Sequence, residues 1–91
     1  MKYYFKPSFS RHFKKLSTNK QTEVLTAIEA LKTVLPSGLP LGGLGLKQLN
    51  KNLWEIRSTL KDRIIFTYAG DTVTFINVGN HDDIRKYLKT L

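Results

Sequence analysis

Three side chains between Leu53 and His81 are of the types that handle a phosphodiester: Arg57, Arg63 and His81. A guanidinium presents paired donors that match two phosphate oxygens, and an imidazole exchanges protons near neutral pH. In combination they suggest cleavage of RNA. The segment carrying them reads as strands over Leu53–Ser58, Arg63–Ala69 and Thr72–Val78, with a tight turn at Gly70-Asp71. Trp54 and Ile56 alternate with Glu55 and Arg57, so if the aromatic side packs on helices the arginine projects from the opposite face. Arg63 opens the next strand close to Arg57, and a register change of one residue would reverse its face. His81 follows the last strand, where Asp82 or Asp83 lies close enough to orient a ring nitrogen. Each has a plainer alternative, a solvated arginine or an incidental rim histidine.

The elements that must position these groups are legible from period and punctuation. Residues 2 to 6 read as a strand ended by Pro7. Ser8 is a candidate N-cap for a helix with Phe9, Phe13 and Leu16 on one face. Ser17, Thr18 or Asn19 can start a second helix, in which Val24, Ile28, Leu31 and Leu35 form an apolar stripe that Pro36 terminates. The two helices predict an antiparallel hairpin whose apolar face needs a sheet. Pro36 to Gly45, rich in proline and glycine, predicts a mobile connector; it lacks the Gly-Lys-Ser/Thr ending that a phosphate cradle requires. Gly79-Asn80 breaks the sheet, and a final helix begins at Asp82 or Asp83 with Ile84, Leu88 and Leu91 on one face. The predicted order is β-α-α-β-β-β-α, an α+β fold with a mainly antiparallel sheet and an N-terminal helix hairpin.

The 91 residues suffice for one small core, so a single domain over 1–91 is expected. A hydrophobic fraction of 41% with 24% charged residues excludes a disordered chain. The absence of cysteine excludes disulfides and thiolate metal sites, leaving the cytoplasm as the default compartment. No apolar run approaches the roughly 18 residues of a membrane span, so no membrane association is expected. Fifteen Lys and Arg against seven Asp and Glu give a net charge of +8, spread along the chain. That field attracts nucleic acid first, and an acidic protein as well. Lys47, Lys51 and Lys61 surround the arginine pair in sequence and are candidates for binding RNA. Neither His81 nor His12 has a second histidine at metal-ligand spacing, so no zinc site is expected and His12 reads as helix surface. Tyr87 fits the core or, with its hydroxyl at the rim, the site. Tyr3, Tyr4, Phe66, Tyr68 and Phe75 fall within strand patterns and read as packing residues.

The order of elements, with Leu49, "LWEIR" at 53–57, "DRIIF" at 62–66 and "VGNHDD" at 78–83, resembles the RelE/ParE superfamily of small bacterial toxins over nearly the whole chain. The ending "GNHDDI" is more similar to the YafQ branch, where a histidine serves as acid/base. The resemblance implies catalytic positions at Arg63 and His81, with Tyr87 six residues after His81, Arg57 on the preceding strand, and Asp62 as an orienting carboxylate alongside Asp83. Glu55 departs from RelE, which has a strand lysine there, and the additional central histidines of YafQ are absent. The activity it implies is that of a type II toxin: a cofactor-free, metal-independent mRNA endoribonuclease acting in the ribosomal A site. A cognate antitoxin would bind it in a hetero-oligomer. Two alternatives share the fold, a ParE-like inhibitor of DNA gyrase and an inactive module that binds RNA or antitoxin.

Overall fold

Ile64, Ile65 and Phe66, buried in succession, identify the sheet's central strand: an element covered on both faces needs apolar side chains on both. In the computed structural model, which describes residues 1–36 and 45–90, this strand is β4 (Asp62–Ala69). It pairs antiparallel with β3 (Leu53–Arg57) and with β5 (Thr72–Asn80). β1 (Lys2–Phe5) lies parallel to β5 on one edge, and β2 (Lys47–Gln48) lies antiparallel to β3 on the other. The spatial order is β1-β5-β4-β3-β2. The chain thus runs β-α-α-β-β-β-β-α, with one strand more than the sequence predicted. That strand, β2, is two residues long and carries no hydrophobic alternation to announce it.

Helices α1 (Pro7–Lys14) and α2 (Thr18–Val34) cover one face. Phe9, Val24, Ile28 and Leu31 meet Ile56, Ile64, Phe66, Val73, Phe75 and Val78 there, with Trp54 packed against them. The other face holds a smaller cluster, in which Ile84 of α3 (His81–Leu88) meets Leu53, Ile65 and Ile76. The α+β fold, the helix hairpin and the mainly antiparallel sheet agree with the sequence reading. Val73 and Phe75 share a face with Val78, which strict alternation forbids. A bulge resolves this, since the register of β5 against β4 shifts between Ile65 and Phe66, leaving Ile76 as the extra residue.

Helix ends differ from expectation in two places. Pro7, not a residue after Ser8, opens α1; its fixed φ suits the first helical position, and the Ser8 hydroxyl instead donates to the Ile76 carbonyl at 2.5 Å. α3 begins at His81, earlier than Asp82, because Asn80 caps it: Asn80 Oδ1 accepts from Asp83 N at 2.8 Å, and Asp83 Oδ2 accepts from Asn80 N at 3.1 Å. Ser17 caps α2 as expected, accepting from Lys20 N at 3.3 Å. The connector over Pro36–Gly45, with its cradle alternative, falls largely on residues 37–44, and Leu91 ends the apolar stripe of α3; both lie outside the described residues.

Candidate functional site

The register draws a row across four strands on the α3 side of the sheet. Arg57 pairs directly with Arg63, and Arg63 with Gly79; extending the β2–β3 register by two residues puts Gly45 opposite Arg57. Paired residues share a face, so both arginines project away from the helix hairpin. A glycine closes the row at each end. Gly45 has φ +63° and gives its place to the arginine: a Cβ there would fall 2.2 Å from Arg57 Nε. A Cβ on Gly79 would fall 2.8 Å from Asp83 Cβ, so this glycine lets the first turn of α3 settle onto the sheet.

The two arginines differ in what already holds them. Arg57 is exposed and has no hydrogen-bond partner among the described residues. Arg63 is gripped by its own turn: Nη1 donates to the carbonyls of Thr59 (3.4 Å), Leu60 (3.2 Å) and Asp62 (3.3 Å), while Nε faces Glu55 Oε2 at 3.7 Å. Its Nη2 has no partner among the described residues, so one edge of a fixed guanidinium is left to meet an anion. Glu55, where the resemblance leads one to expect a lysine, thus acts as the counter-charge of Arg63.

His81 follows Asn80, which pairs with Asp62, one register step beyond the row. Adjacent strands are about 5 Å apart and His81 is two residues beyond Gly79, so its Cα lies no more than about 12 Å from that of Arg63, within reach of two extended side chains around one phosphate and its sugar. It is exposed and borders a shallow depression with Leu60, Lys61, Asn80 and Asp82. Lys47 stands opposite Glu55, Lys51 lies exposed in the β2–β3 turn, and Lys61 joins His81 at the depression.

Three candidates from the sequence lie elsewhere. Asp62 alternates with Arg63 and faces the other way: it is 2% exposed, accepts from the Thr59 hydroxyl at 3.1 Å and pairs with Lys20 of α2 at 3.6 Å. It anchors a turn, with no contact to His81. Asp83 is occupied as the α3 cap. Tyr87, six residues along α3 from His81, is about 9 Å farther down the helix axis and lines a cleft on the α1 side, together with His12 and Asn77. His12, read from the sequence as helix surface, is half-buried with Nδ1 bonded to Asn77 Oδ1. Nothing in the sequence pointed to this pair, whose members are 65 residues apart.

No protein-family model matches the chain, and no curated protein matches it. Solved structures do. A chain of the RelB–RelE antitoxin–toxin complex from Methanococcus jannaschii superposes with a TM-score of 0.72 at 22% identity, covering 92% of this chain and 96% of that one. The YoeB/ParE toxin from Agrobacterium tumefaciens gives 0.69 at 18% identity, over 89% and 99%. YafQ from E. coli strain BL21(DE3) gives 0.62 at 17% identity, over 90% and 94%. The architecture is thus a small α+β sheet with a basic row on one face and a helix hairpin on the other. It is the fold of the RelE/ParE superfamily.

Proposed function

We propose that the protein is the toxin of a type II toxin–antitoxin pair and cleaves mRNA on the ribosome. The observation that carries this reading is the level Arg57–Arg63 pair, bounded by Gly45 and Gly79, with His81 one step beyond it. In this reaction the RNA 2′-oxygen bonds to the adjacent phosphorus as its proton leaves. The bond from phosphorus to the 5′-oxygen breaks, and that oxygen takes up a proton. His81 moves the proton at the rim, where it is exposed to substrate. Arg57 and the Nη2 edge of Arg63 stabilise the charge that builds on the phosphorane oxygens. Lys47, Lys51 and Lys61 hold the flanking RNA, and Tyr87 positions a nucleotide from the far end of α3. RelE and YafQ structures include complexes with the antitoxins RelB and DinJ, and a comparable acidic or amphipathic partner fits a chain of net charge +8. No helix among the described residues is long and apolar enough to cross a membrane, consistent with action in the cytoplasm.

The grip of Glu55 on Arg63 favours a second reading. A guanidinium with a carboxylate and three carbonyls around it also suits a protein that only binds, as a gyrase inhibitor does. Primer-extension mapping of cellular mRNA after brief expression separates the two. Cuts within translated codons support the ribonuclease; DNA damage with intact mRNA supports the gyrase inhibitor.

A further inference from the structure

A second group of proton-carrying and cationic side chains lies across α3 from the arginine row. The end of α1, the end of β5 and α3 enclose a cleft of about 560 Å³ that includes His12, Lys15, Leu16, Asn77, Lys86 and Tyr87 in its lining. Neither Arg57 nor Arg63 borders it. Its volume falls in the range of about 300–1,000 Å³ that small-molecule sites occupy.

Asn77 fixes the chemistry of His12. It is 2% exposed, and its Oδ1 accepts the backbone N–H of Val78 at 2.9 Å. A backbone N–H can only donate, so the atom it faces is the amide oxygen and not the amide nitrogen. That same oxygen is bonded to His12 Nδ1, and two acceptors cannot bond, so Nδ1 carries the proton. The neutral ring therefore holds its lone pair on Nε2, at the opposite edge, and the protonated ring offers an N–H there. Two ammonium groups, Lys15 and Lys86, join it around the cleft. The one carboxylate in the lining is that of Asp83, which is already committed to the Asn80 backbone at 3.1 Å. An imidazole held in one tautomer by a buried amide, with two cations and a phenol beside it, suits an anion attached to a flat ring.

We propose that this cleft binds a nucleotide through its phosphate ester, with Lys15 and Lys86 neutralising the phosphate, His12 Nε2 hydrogen-bonding to it, and Tyr87 and Leu16 flanking the base. The nucleotide is either a free mononucleotide or one unit of an RNA strand. The proposal concerns binding and does not rest on RNA cleavage at the arginine row, with which it shares Tyr87 and the backbone at Gly79.

The test is a titration of the isotope-labelled protein, followed by NMR, with inorganic phosphate, AMP and a tetradeoxynucleotide that has no 2′-hydroxyl to react. The His12 ring should show Nδ1–H in the free protein, and each addition should shift His12 Nε2 and the amides of Val78, Gly79, Lys86 and Tyr87. Lys15→Gln, Lys86→Gln and His12→Gln should each weaken AMP binding about two- to tenfold, as expected for losing one hydrogen bond or charge. AMP and the tetranucleotide binding alike identify a free nucleotide as the ligand, and a tetranucleotide preference of tenfold or more identifies a strand. Both uphold the site. Shifts confined to Arg57, Lys61 and His81, a Lys15→Gln/Lys86→Gln protein that binds AMP as tightly as the wild type, or a His12 ring protonated on Nε2 alone overturns it.

Discussion

Replacing Arg63 by alanine should destabilise the fold as well as the chemistry, and the structure sets the size of the effect. Arg63 Nε and Glu55 Oε2 are 3.7 Å apart, and the two side chains are 18% and 14% exposed. At an effective dielectric of about 20 that separation corresponds to an attraction of roughly 4–5 kcal/mol, most of which offsets the cost of taking both charges out of water. Truncating Arg63 removes the attraction but leaves Glu55 desolvated and unpaired. Losing one partner costs about 3–5 kcal/mol for a fully buried pair and about 0–1 for an exposed one, so this pair should cost about 2–3 kcal/mol. In a domain of this size that lowers Tm by about 10–20 °C. Glu55→Gln alone leaves Arg63 held by three carbonyls and should cost about 1 kcal/mol or less. Added to Arg63→Ala it removes the stranded charge and should recover about 1 kcal/mol or more. Urea unfolding followed by the fluorescence of Trp54, the sole tryptophan, measures all four proteins. An Arg63→Ala protein within about 0.5 kcal/mol of wild type, or a double variant weaker than either single one, refutes the assignment of Glu55 as the counter-charge.

His81→Ala should show the opposite balance: ribosome-programmed mRNA cleavage falls by about 10²–10⁴, while Tm stays within a degree or two because the residue is exposed. Asn80→Ala should cost about 1 kcal/mol in urea unfolding through loss of the α3 cap. Gly45→Ala should cost about 1–2 kcal/mol from its positive φ and should also reduce cleavage, because the new methyl group displaces the Arg57 guanidinium. A crystal structure of that variant with Arg57 unmoved would contradict the second effect.

Much of this architecture was written into local pattern. The alternation of Trp54 and Ile56 with Glu55 and Arg57 set the faces of β3, and Gly70-Asp71 marked the hairpin. The direction of Asp62 was also within reach, since it keeps step with Ile64 and Phe66 toward the hairpin; the orienting role that the resemblance implied for it took no account of that alternation. Other features needed the third dimension. The ion pair of Glu55 with Arg63 depends on the diagonal between two strands, the bulge at Ile76 on how β5 meets β4, and the His12–Asn77 bond on α1 lying along the edge of β5. Residues far apart in sequence leave no periodic trace of their meeting.

The parallel pairing of β1 with β5 also dictates when the protein can come into being. Lys2 finds its partner only at Thr72, and Phe5 only at Phe75, so β1 must wait until about 70 further residues have been made. On a ribosome adding about 5–20 residues per second, that wait lasts several seconds, and the exit of the chain from the tunnel prolongs it. Through that interval β1 has no sheet to join, and Phe9 and Phe13 of α1 lack the Phe75 side of their core. Loop closure over such a span falls late among folding events, after the β3–β4–β5 meander. The arginine row, Gly79 and the cap of α3 all belong to that late-emerging half. A nascent chain therefore cannot complete the five-stranded sheet that carries the arginine row until Phe75 has been made and is free to pair.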